Sequence, residues 1–170
     1  KGITRSLVLT SVRRQIRNLS NEIVDLEVKL ESVIKEYAHD LLTRLCSIPG
    51  IGKRTSIYLI VLTQSFEKFE SSRQLISYLG LNPTIRESGS SVRGKSRISK
   101  TGDKQVRKLL FMCAFTACEH NKACREIYQR LTAKGKSKKL ALIAVANKLL
   151  KQSLAIAKSG LYYDENYRSV

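Results

Sequence analysis

Between residues 9 and 37 apolar side chains recur at alternating intervals of three and four, and this repeat limits what the chain can fold into. The positions are Leu9, Val12, Ile16, Leu19, Ile23, Leu26, Leu30, Val33 and Tyr37, unbroken over four heptads. A period of about 3.5 residues is the seam of a coiled coil, narrower than the stripe of an ordinary globular helix. Isoleucine at Ile16 and Ile23, alternating with leucine at Leu19 and Leu26, favours two strands. A long helix laid on its own domain is the alternative. The spacing predicts a helix over residues 1–40 and a homo-oligomer through it.

A second pattern follows in LLTRLCSIPGIGKRTSIYLIVL, residues 41 to 62. An apolar helix runs into Pro49, which cannot continue it, and a second apolar helix begins after Gly52. This is a helix-hairpin-helix pattern. Its glycines, Gly50 and Gly52, let backbone N–H groups approach a phosphate at the mouth of the second helix, where Lys53 and Arg54 add charge. A purely structural hairpin is the alternative. GIGKRT is not a phosphate-cradling Walker loop: no glycine lies five residues before Gly52, and Arg54 stands where Ser or Thr is required.

The remaining pattern is helical. A short helix is expected from Ser72 to Leu79, closed by Gly80, with a turn at Asn82-Pro83. Helices are expected from Asp103, as N-cap, to about Glu119, from Lys122 to Lys134, and from a Ser137 cap to Lys158. The last is apolar nearly all round and should be the buried centre. The end, residues 161–170, reads as a frayed tail. The fold class is therefore mainly α: a coiled-coil helix (1–40), then a compact helical domain (41–160) with the hairpin and an irregular basic loop.

That loop, RESGSSVRGKSRISKTGDKQVRK, spans residues 86 to 108. It holds eight Lys or Arg, two acids and six hydroxyls. The whole chain carries 31 basic and 14 acidic residues, a net +17. A field of that size selects polyanions. No uninterrupted apolar run suggests a membrane span, and the N-terminus does not resemble a signal peptide. No membrane partner is expected, and a cytoplasmic location is. The start at Lys1 is read as that of an excised fragment.

Arg86, Arg93, Lys95, Arg97 and Lys100 suit the non-bridging oxygens of a phosphodiester, and Ser99 precedes a helix mouth. Ser88, beside Gly89, is an exposed hydroxyl that could attack phosphorus. A serine-rich basic loop that only coats DNA fits the same composition. Four cysteines are present, and Cys113, Cys118 and Cys124 fall near His120. Their C-x4-C-x-H-x3-C spacing matches no common zinc pattern. On a helix Cys113 and Cys118 point about 140° apart. Buried reduced thiols are expected, and no metal site.

The segment GLNPTIRESGSSVRGKSRISKTGDKQVRKLL resembles the signature of the C-terminal domain of the IS-one-ten class of insertion-sequence transposases, the bridge-RNA-guided DNA recombinases, with the Piv-type invertases as relatives. The resemblance rests on Gly80-Leu81, Pro83, Ser88-Gly89, Gly94, Ile98-Ser99-Lys100, Gly102 and Arg107, together with the IPGIG hairpin and AKGKSKKLALIAVANKLL. It covers about Leu41 to Gly160. It implies that Ser88 is a nucleophile forming a 5′-phosphoserine link to DNA and that Arg107 joins the phosphate-binding set. It also implies a guide RNA, and a RuvC-like domain whose four acids bind Mg2+. Only Glu87 and Asp103 are acidic within the motif, so no cofactor is expected in this chain, and the site it implies is composite. The alternatives are a non-catalytic hairpin module for DNA binding and dimerisation, and a repair protein for branched DNA.

Overall fold

The computed structural model describes residues 2–84, 87–88, 92–93, 97–99 and 101–167. The chain divides into two compact units, Lys1–His39 and Asp40–Val170. The fold is mainly helical. Helix α1 covers Gly2–Cys46, and Ala38, with φ −146° and ψ 34°, interrupts it.

Within the first unit the heptad positions are open to solvent, apart from half-buried Leu30. Ile16, Leu19, Ile23 and Leu26 are 59%, 59%, 51% and 63% exposed. Stripping water from such a side chain contributes roughly 1.5–3 kcal/mol, a gain that the described structure leaves unrealised along the seam.

The second unit is a bundle of α2 (Lys53–Thr63), α3 (Ser72–Tyr78), α4 (Lys104–His120), α5 (Lys122–Ala133) and α6 (Lys138–Ser159). The local signals for these elements are side-chain caps. Ser71 accepts from the Gln74 N–H and Gln74 returns the bond, a capping box that starts α3. Asp103 accepts from the Val106 N–H at 2.8 Å, and Ser137 from that of Leu140 at 3.4 Å. Helix α6 lies at the centre, as its composition predicts, packed on α3, α4 and α5. Its buried face runs Ala141, Leu142, Val145, Ala146, Leu149, Leu150, Ser153 and Leu154. The helix is long and apolar enough to cross a membrane. Here that apolarity is turned against three neighbouring helices.

Three expectations are corrected. Asn82-Pro83 is not simply a turn: Pro83–Thr84 (β1) pairs antiparallel with Arg97–Ile98 (β4). Within the basic loop, Glu87–Ser88 (β2) pairs with Val92–Arg93 (β3), Glu87 opposite Arg93 and Ser88 opposite Val92. The described part of the loop is thus a pair of short ladders where irregular chain was expected. The tail is not frayed at its start. The Tyr163 N–H donates to Ser47 Oγ at 2.9 Å and its hydroxyl to Asn121 Oδ1 at 3.2 Å.

One segment escapes sequence reading altogether. Gln64, Ser65 and Phe66 all have positive φ, of 50°, 56° and 67°. Left-handed backbone costs roughly 1–2 kcal/mol per residue without glycine. Burial of Phe66, 1% exposed, and its N–H bond to Thr63 Oγ1 at 3.1 Å offset that cost.

Candidate nucleic-acid interface

The hairpin is held from beneath. Leu45 and Ile48 anchor the end of α1 in the core, 0% and 1% exposed, and the Ile51 N–H closes a turn onto Ile48 O at 3.0 Å. Gly50 has φ +102°, and a Cβ there would lie 2.6 Å from Ala117 Cβ on α4. Its lack of a side chain therefore serves helix packing, a role that the sequence alone did not give it. Gly52 is the opposite case. It caps α2 with no side-chain hydrogen bond, and a Cβ there would meet nothing within 4 Å. No acid occupies the first turn of α2; Lys53 and Arg54 do, both exposed. Cations at the positive end of a helix oppose its dipole, and an anion docked at the same end would relieve that opposition.

Below this mouth, Thr55 Oγ1 and Cys113 Sγ are 3.2 Å apart, joining α2 to α4. Asn121, fully buried between α4 and α5, ties the hairpin to the rest. Its Nδ2 donates to Pro49 O at 3.4 Å and to Gln152 Oε1 at 3.0 Å. Its Oδ1 accepts from the Cys124 N–H at 3.2 Å as the cap of α5, and also from the Tyr163 hydroxyl. The sequence reading missed Asn121, although its place between two helices was a visible capping signal.

The basic loop is secured at both ends. Ser99 Oγ donates to Asn82 Oδ1 at 2.6 Å and lies 3.0 Å from Thr101 Oγ1. The Ser99 N–H bonds to Asn82 O at 3.0 Å. Ser99 thus anchors the loop's return. Arg107 anchors its exit: its Nη1 donates to Gly102 O at 2.8 Å, Leu79 O at 3.3 Å and Thr101 O at 3.5 Å. A Cβ on Gly102, φ +90°, would collide with the Tyr78 carbonyl, so the loop exit presses against the end of α3. Asn147 Nδ2 holds Leu81 O at 3.4 Å at the loop entry.

Ser88, Arg93 and Arg97 lie in the short strands, described in their backbone. Arg86, Lys95 and Lys100 lie outside the described residues. The fold therefore brings Gly52, Lys53 and Arg54 to one helix mouth, and gives Gly50, Ser99 and Arg107 structural work.

Among the described residues no three His, Cys, Asp or Glu side chains form a group that could hold a metal. All four cysteines are free thiols; Cys46 is exposed and only Cys124 is fully buried, so the expectation of buried thiols holds for one of them. Burial first, then neighbouring Cys118, pushes the Cys124 thiol up to about 12, with Lys148 opposing.

Comparison with known proteins bears on the same residues. The model of the transposase family IS116/IS110/IS902 matches residues 42–129. The chain is 29% identical to the insertion element IS110 uncharacterized 43.6 kDa protein of Streptomyces coelicolor, over 95% of this chain and 39% of that protein. It is 34% identical to the pilin gene-inverting protein of Moraxella lacunata, over 88% of this chain and 48% of that one. It is 30% identical to the transposase for insertion sequence element IS1111A of Coxiella burnetii, over 83% and 39%. The chain spans less than half the length of these curated relatives. With a family match that covers more than half of its own length, the chain belongs to the transposase family IS116/IS110/IS902.

Proposed function

We propose that this chain is the serine-bearing part of a DNA recombinase, with Ser88 as nucleophile. Ser88 Oγ attacks a phosphodiester; the Oγ–P bond forms as the P–O3′ bond breaks. The serine proton passes to a base, the departing 3′ oxygen takes up a proton, and the strand stays on the protein as a 5′-phosphoserine ester. Because one ester replaces another, the free 3′-hydroxyl of another strand can reverse the step without an external energy source. Arg86, Arg93, Arg97, Lys95 and Lys100 neutralise charge on the non-bridging oxygens, and Gly52, Lys53 and Arg54 grip the backbone nearby. Acids that would complete a composite site come from outside the residues described, and a guide RNA is the further partner that the resemblance implies. The coiled-coil seam pairs two copies; its exposed leucines and isoleucines support that reading.

The observation that carries the proposal is that the family match runs through residues 42–129, and so through Ser88 and the whole basic loop. The two anchors, Asn82–Ser99 and Arg107–Gly102, support it further: they fix the return and the exit of the basic loop. The test is peptide mapping of a denaturant-resistant protein–DNA adduct formed by the parent protein. Attachment at Ser88, lost in Ser88→Ala but kept in Ser90→Ala and Ser91→Ala, is the expected result. An adduct at another residue, or strand exchange by the Ser88→Ala protein, overturns it.

A further inference from the structure

From Ile127 to Tyr163 the chain contains no acidic residue, yet it contains Arg130, Lys134, Lys136, Lys138, Lys139, Lys148, Lys151 and Lys158. Four of these lysines crowd the turn between α5 and α6, in the sequence KGKSKK. Lys134, Lys136, Lys138 and Lys139 are all exposed. Among the described residues none of the four makes an ion pair. Nothing in the fold requires this concentration of charge. Backbone bonds close the turn without any lysine side chain: the Gly135 N–H donates to Thr132 O and that of Lys136 to Leu131 O. Like charges this close repel one another, so the cluster costs stability unless an outside polyanion neutralises it.

Its place in the fold gives it a partner of defined geometry. Helix α5 has 12 residues, so it carries the chain about 18 Å from Asn121 to the turn. The return along α6, from Lys138 to Gln152, covers about 21 Å. The Asn121–Gln152 amide pair closes this antiparallel pair of helices at the far end, and Asn121 there holds Pro49 of the hairpin. Two separate measures thus put the lysine turn roughly 20 Å from Asn121 and the hairpin carbonyl of Pro49 that it holds, a span that about six base pairs of B-DNA cover at ~3.4 Å each.

We propose that the α5–α6 lysine turn is a second grip on the phosphate backbone of duplex DNA, set a helix length away from the hairpin grip. It rests on the reading of this chain as a DNA-binding recombinase component. The two grips act on the same duplex, and their counterion releases add.

The experiment measures duplex affinity against salt for the 170-residue chain. It compares the wild type, Lys136→Gln/Lys138→Gln/Lys139→Gln, the corresponding triple Arg variant, and Lys53→Gln/Arg54→Gln. The triple Gln change should lower the slope of log affinity on log salt by about 2–3, and the triple Arg variant should restore it. The hairpin double change should lower it by about 2, and the combined variant by the sum. A triple Gln variant with an unchanged slope overturns the second grip, as does a triple Arg variant that fails to restore it. Loss of slope in Lys53→Gln/Arg54→Gln alone would leave the hairpin reading standing without the turn. Loss in the turn variant alone would do the reverse. Far-ultraviolet circular dichroism of each variant separates lost charge from lost fold.

Discussion

Gly50 and Ala117 touch where the hairpin crosses α4, so closely that no methyl group fits between them. A Cβ on Gly50 would fall 2.6 Å from Ala117 Cβ and 2.9 Å from its Cα and N, and the backbone there already has φ +102°. Gly50→Ala therefore combines overlap with an unfavourable dihedral and should cost about 2–4 kcal/mol in chemical denaturation. Gly52→Ala meets open space at φ −90° and should cost less than about 1 kcal/mol. Equal losses in the two variants would contradict this division of labour between the glycines.

Arg107 separates a positioning role from a phosphate contact. Its guanidinium donates to the carbonyls of Leu79, Thr101 and Gly102. Arg107→Gln should speed amide exchange over residues 99–103 and weaken DNA binding while leaving the salt slope within about half a unit of wild type. A phosphate contact would instead lower that slope by about one, with no change in exchange.

Cys124 should be inert in the native protein while exposed Cys46 reacts readily with an alkylating reagent, read by mass spectrometry of the modified peptides. The same burial makes stability pH-dependent. The thiol rises from its ordinary value of 9.0 to about 12 in the fold, so between these the unfolded chain has lost a proton that the folded one keeps. Stability from this group is complete below pH 9 and falls as pH rises towards 12, by up to about 1.4 kcal/mol per pH unit. Cys118 and Tyr163, both raised chiefly by burial, act with the same sign. Cys124→Ala should flatten the alkaline decline of unfolding free energy without abolishing it, measured against the wild type at each pH.

Along α1 the exposed seam predicts self-association. Ile23→Lys puts a charge among Leu19, Leu26 and Ile16 and should shift sedimentation towards monomer by at least tenfold in dissociation constant. If the wild type sediments as a monomer at every concentration, the seam has some other partner.

The helices were legible because their signals are local. Asp103 and Ser137 cap helices within three residues of themselves, and the heptad of α1 is written in consecutive turns. What stayed hidden depends on residues far apart in the chain. Nothing in IPGIG announces that Gly50 will meet Ala117, nor in the basic loop that Arg107 will turn back onto Leu79, 28 residues earlier. Positively charged side chains in a polar loop invite assignment to an anion; whether backbone carbonyls claim them first is decided by tertiary packing. The positive-φ run at Gln64–Phe66 was unreadable for a related reason, since burial of Phe66 overrides local backbone preference.

The docking of Tyr163 onto Ser47 joins residues 116 apart in sequence. During synthesis the hairpin emerges well before the segment that fastens its entry has been made. Closing so long a loop is entropically slow and is rewarded only late, once Asn121 and Gln152 are already in place. A nascent chain therefore carries a hairpin that is folded locally but not yet braced. Bracing of the hairpin is therefore complete only after Tyr163 has left the ribosome and the bundle has closed.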